Sequence, residues 1–151
     1  MVDLDPAAMI TSRREAVALC PPGHPNRCGS LINLASALLT HFEQLSRMED
    51  MEDMVSSYRE VLTLRPPGRP DHSNSLNNLA NALSICFKHL GRMEILEDVI
   101  SSYREALTLC PPGHPNRSRL LMNLAIALLT RLEQLGKIED LEDAILSHRE
   151  V

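Results

Sequence analysis

The sequence predicts an all-α protein, a solenoid of stacked antiparallel helix pairs, and three observations carry that prediction. Pro-Pro-Gly recurs at Pro21, Pro66 and Pro111, 45 residues apart each time. The same spacing relates Asn33 to Asn78 and Asn123, Ala35 to Ala80 and Ala125, and Glu52 to Glu97 and Glu142. Residues 21–61 laid over 111–151 agree at 26 of 41 positions without a gap. A fixed period of roughly 20–50 residues marks units that bury their apolar faces against one another. Second, apolar residues within a unit step by three and four, the spacing of one helix face. Third, aromatic residues make up 3% of the chain and Trp is absent. The core is therefore built from Leu, Ile, Met, Val and Ala, which suits helices better than sheets.

The elements follow in order. Residues 1–20 read as the back half of a unit, a helix from about Pro6 to Cys20. Asp5 supplies a capping side chain, Pro6 suits the first helical position, and Pro21-Pro22 ends the run. Three units then divide the chain at 21–65, 66–110 and 111–151, all within a single solenoid over 1–151. Each unit opens with a Pro-rich linker ending in Asn26, Asp71 or Asn116, good types for a helix start. Helix A of each unit runs to about Leu45, Leu90 and Leu135. Gly91 and Gly136 offer the left-handed residue that closes such a helix, and Ser46 stands there in the first unit. In the middle unit Leu76, Leu79, Leu83, Phe87 and Leu90 form the expected apolar stripe. Helix B follows almost at once, its stripe being Met93, Leu96, Ile100, Tyr103 and Leu107. Glu94, Glu97 and Asp98 lie near its start, where carboxylates meet the positive end of the helix dipole. The last unit stops at Val151, inside helix B.

At this point the residues resemble the tetratricopeptide repeat. NLANAL at 78–83 is similar to the core of that motif's helix A, and LEDVISSYREALTLCP at 96–111 to its helix B. Val99, Tyr103, Ala106 and Pro111 stand at the family's small, aromatic, small and proline positions. The chain departs from the family pattern in its 45-residue unit and in having Leu31, Leu76 and Leu121 where an aromatic is usual. Long units of this kind resemble kinesin-light-chain-type repeats and fungal tandem arrays. The resemblance implies a right-handed solenoid whose A helices line a concave, protein-binding groove. Ala35, Ala80 and Ala125 fall where helices A and B of a unit cross, where a small side chain permits close approach.

The expected function is therefore a scaffold or adaptor that binds an extended peptide or a partner protein. Its central feature is the ladder Asn33, Asn78 and Asn123, with Asn77 and Asn81 beside it. An amide carries donors and an acceptor, so it can pair with any peptide backbone. Bonding of each Asn within its own repeat is the alternative, and the two are compatible. Around the ladder lie Ile32, Ser36, Met122 and Ile126, with Arg119 as the nearby cation. A carboxylate clamp of the kind known in chaperone-binding relatives needs Lys and Arg at places that here hold Ile32, Asn77, Met122, Ser36, Asn81 and Ile126. The sequence argues against it. The groove suits an extended peptide with apolar side chains.

Other chemistries find little footing. A net charge of −5 opposes binding of nucleic acid, which rests on neutralising phosphates. No apolar run reaches the roughly 20 residues of a membrane span, and the first residues lack a secretory signal. The four Cys have no paired spacing, which suggests a reduced, cytoplasmic setting. His24 between Cys20 and Cys28 is an incomplete metal set, and the middle unit has Arg65, Arg69 and Ser73 in those places. Cys86 and Cys110 read as small apolar residues. No nucleophile, base or Gly-rich phosphate loop stands out, so no catalytic residue, cofactor or metal is expected. Two rival roles are a self-associating segment and a regulatory part of a larger effector, such as a caspase-like peptidase or nucleotide-binding protein. The first draws on apolar Met9, Ile10, Ile138, Leu141 and Ile145 at chain ends without a polar cap.

Overall fold

The computed structural model describes residues 5–135 and 138–149, with nothing assigned to the side chains of 138–140. Among the described residues every regular element is an α-helix. In order they are α1 (Pro6–Ala18), α2 (Arg27–Leu45), α3 (Met48–Leu64), α4 (His72–Leu90), α5 (Met93–Thr108), α6 (Arg117–Leu135) and α7 (Ile138–Arg149). The chain divides into two compact units, Met1–Pro67 and Gly68–Val151.

In the first unit α2 packs on both α1 and α3. Asp5 caps α1 as its sequence implies, Oδ1 accepting from the Ala7 amide at 3.3 Å. The helix ends at Ala18, two residues short of the expected Cys20, because the Cys20 amide bonds the Val17 carbonyl three residues back instead of continuing the four-residue ladder. Met9 and Ile10, expected on an open face, are half-buried and buried. Leu38, Phe42, Met54 and Val61 fill the interior. One polar pair lies among them: His41 Nδ1 meets Asp50 Oδ2 at 2.7 Å, with both side chains almost sealed from solvent.

In the second unit α5 packs between α4 and α6, and α6 also carries α7. Leu76, Leu79 and Leu83 of α4 are buried, as are Leu96, Ile100 and Tyr103 of α5. Each such apolar side chain contributes about 1.5–3 kcal/mol when taken out of water. The far end of the α4 stripe behaves differently, since Phe87 is half-buried and Leu90 is exposed. Ala80, Ala125 and, in the first unit, Ala35 are wholly buried. Leu141 and Ile145 of α7 are exposed, whereas Leu96 and Ile100, one period earlier, are buried. Gly136 and the side chain of Ile138 lie outside what the structure describes.

The helix ends explain the punctuation. Gly91 closes α4 with φ 64° and its amide bonds the Phe87 carbonyl at 2.7 Å. Ser46 closes α2 in the same left-handed conformation, φ 52°, without glycine's freedom. Pro21-Pro22-Gly23-His24 and Pro111-Pro112-Gly113-His114 are hydrogen-bonded turns with Gly at φ near 90°. Pro at the second place and a positive-φ Gly at the third define type II. Asn26 and Asp71 stand at the expected helix starts, but neither side chain makes a capping bond. Their backbone has ψ of −2° and 3°, while side-chain capping favours the extended region that Asp5 adopts. Instead His24 Nδ1 and His114 Nδ1 accept from the Asn26 and Asn116 amides at 3.1 Å.

Candidate functional site

A cleft of about 330 Å³ opens in the second unit between α4 and α6, with α5 behind it. The α4 wall is Asn81, Ser84, Ile85, Phe87 and Lys88; the α6 wall is Asn123, Ile126, Ala127 and Thr130. Both sets step by three and four, so the cleft runs along one flank of each helix. Leu96 and Tyr103 line it from α5.

Its polar part is built on two amides. The Tyr103 hydroxyl donates to Asn81 Oδ1 at 2.6 Å, and Asn123 Nδ2 donates to Asn77 Oδ1 at 3.5 Å. Asn77 is buried, so this second bond satisfies a group shut off from water. Each lining amide thus spends one end inside the fold and keeps the other. Asn81 retains its Nδ2 donors and Asn123 its Oδ1 acceptor, and no described residue engages either. Burial pushes the Tyr103 phenol above its ordinary pKa, and the hydrogen bond with Ser84 works in the opposite sense. The hydroxyl is accordingly a donor throughout the neutral range. Beyond the amides the surface turns apolar at Ile85 and Ile126, the latter 55% exposed.

The sequence-predicted residues separate in space. Asn81, Asn123 and Ile126 line the cleft, and Asn77 supports it from below. Asn78 is half-buried and outside the lining. Met122 is exposed on α6 but not in the cleft. Arg119 turns to the Asn116 side chain at 3.4 Å. Asn33, Ile32 and Ser36 lie on α2 in the first unit, where Asn33 is exposed and Ser36 bonds back to the Ile32 carbonyl. Tyr103 as a polar group, Ser84, Lys88 and Thr130 also line the cleft, and the sequence of any one repeat alone does not single them out. The repeat did hold a signal for Lys88, since Glu43 and Glu133 stand one period to either side.

The remaining candidates serve the scaffold. Arg27 reaches the Cys20 carbonyl at 2.6 Å and Glu60 at 2.5 Å, tying the end of α1 to α2 and α3. Arg117 repeats the first contact on Cys110 at 2.7 Å. These bonds satisfy carbonyls orphaned at a helix end. Arg14–Asp53 and Arg104–Asp143 pair successive B helices within their units. Cys20, Cys86 and Cys110 are buried thiols. Among the described residues no three His, Cys, Asp or Glu side chains converge as a metal would require, and no helix is long and apolar enough to cross a membrane.

Comparison with known families agrees with this architecture. Residues 72–116, from the first residue of α4 to the last before α6, match the family model of the tetratricopeptide repeat. The matched stretch, α4 with α5 and the turn after it, is similar to a tetratricopeptide repeat, and such a repeat suggests a protein–protein interaction module. No curated protein matches the chain.

Proposed function

We propose that the α4–α6 cleft binds an extended peptide segment of a partner protein, and that the chain acts as a scaffold or adaptor without bond chemistry of its own. The pair of half-used amides carries this reading. Asn81 presents donors and Asn123 an acceptor, which is the complement of one peptide unit's C=O and N–H. Internal bonds to Tyr103 and Asn77 hold both amides in place, so little side-chain freedom is lost on binding. Ile85 and Ile126 beside them suit an apolar side chain of the same segment.

The test uses a random 12-residue peptide library displayed on phage and panned on the full chain. Peptides so selected should bind the Asn123→Ala/Ile126→Gln variant at least tenfold more weakly by titration calorimetry, with far-UV circular dichroism unchanged. Equal affinity for the variant would refute the site.

A further inference from the structure

The internal repeat singles out one residue in the cleft. At equivalent places in the last turns of α2, α4 and α6 the chain has Glu43, Lys88 and Glu133, so the charge reverses in the middle copy alone. Among the described residues Lys88 is the one charged side chain of the cleft lining. It is exposed, and no described residue pairs with its ammonium. Arg131, also on α6, is instead committed to Glu97 at 2.9 Å and is only 12% exposed. Glu133 is exposed and stands outside the lining.

Resting on the peptide reading above, we propose that Lys88 selects an acidic side chain in the bound segment. The ligand class is then an extended peptide with an apolar residue over Ile85 and Ile126 and an Asp or Glu nearby. The spacing follows from helix geometry. Asn81 and Lys88 are seven residues apart on α4, about 10 Å of helix rise, which about three residues of extended chain span. Ile85 and Lys88 are one turn apart, so the acidic residue falls one to three positions from the apolar one. Lys complements a helix C-terminus in any case, and that role alone would leave peptide choice unaffected.

The same phage library, panned in parallel on the wild type and on Lys88→Glu, tests this. Wild-type peptides should carry Asp or Glu at a fixed offset from an apolar residue, and the variant should select Lys or Arg at that offset. Replacing the peptide's acidic residue by its amide should weaken wild-type binding about tenfold and leave Lys88→Gln binding unchanged. Peptides that depend on Asn123 and Ile126 but show no charge preference would overturn the role of Lys88 and leave the groove standing. A library that yields no peptide, or peptides indifferent to Asn123→Ala/Ile126→Gln, overturns both.

Discussion

The buried pair His41–Asp50 offers the sharpest test of how this fold tolerates polarity, because the next repeat supplies its apolar counterpart. One period later the same places hold Cys86, which is buried, and Ile95, which is half-buried. His41 and Asp50 are 4% and 8% exposed at the side chain, and their 2.7 Å contact has the ring N–H donating to the carboxylate. Taking the donor away from a buried carboxylate costs about 3–5 kcal/mol, since its charge stays behind unpaired. Asp50 is the third residue of α3, where the helix N-terminus returns about 0.3–1 kcal/mol to a carboxylate. His41→Cys should therefore cost about 2–4 kcal/mol. Asp50→Ile leaves the His41 imidazole without its carboxylate partner. Its lost hydrogen bond, about 1–3 kcal/mol, is largely offset by about 1.5–3 kcal/mol from the added apolar side chain.

The double variant His41→Cys/Asp50→Ile should then match or exceed the wild type, as apolar replacements of buried pairs commonly do. Urea titrations followed by circular dichroism at 222 nm give all four stabilities by linear extrapolation. The expected cycle shows a coupling of about 2 kcal/mol or more. Additive single effects, or a loss under about 1 kcal/mol for His41→Cys alone, would refute the assignment of this contact as a desolvated hydrogen-bonded pair.

Three further outcomes are expected. Ser46→Gly should raise stability by about 0.5–1 kcal/mol in the same urea assay, because Ser46 holds φ 52° where Gly91 serves in the next repeat. Ala80→Leu should lower stability by about 1–3 kcal/mol and depress Tm, since Ala80 is fully buried in a packed face of α4. The raised phenol of Tyr103 makes stability fall with alkali: above about pH 10 the unfolded chain releases a proton that the folded chain keeps. Urea midpoints at pH 8, 10 and 11 should show this loss in the wild type, at most about 1.4 kcal/mol per pH unit from this group, and Tyr103→Phe should remove it.

The helices were legible in the sequence because their determinants are local. Steps of three and four placed the stripes, and Pro-Pro-Gly placed the breaks. The ends at Leu45, Leu90 and Leu135 fall where the sequence set them. The caps were only half legible. Asn26 and Asp71 have the right residue type, but the preceding turns set a backbone from which their side chains make no capping bond. The cleft was legible in composition and not in register, and the reason is geometric. A repeat places the same residues at the same places on successive A helices, which invites pairing Asn78 with Asn123. Two neighbouring A helices, however, turn opposite flanks toward the space between them. α4 contributes residues 81, 84, 85, 87 and 88, whereas α6 contributes 123, 126, 127 and 130, which correspond one period earlier to 78, 81, 82 and 85. The two walls are offset by about one helical turn. Asn123 therefore shares the cleft with Asn81, and Ile126, the counterpart of Asn81, sets apolar surface near the amides. A single ladder position cannot describe such a groove; each binding level takes one residue from a copy and a different one from the next. That offset is also what brings Lys88 to the cleft while its counterpart Glu133 stays outside.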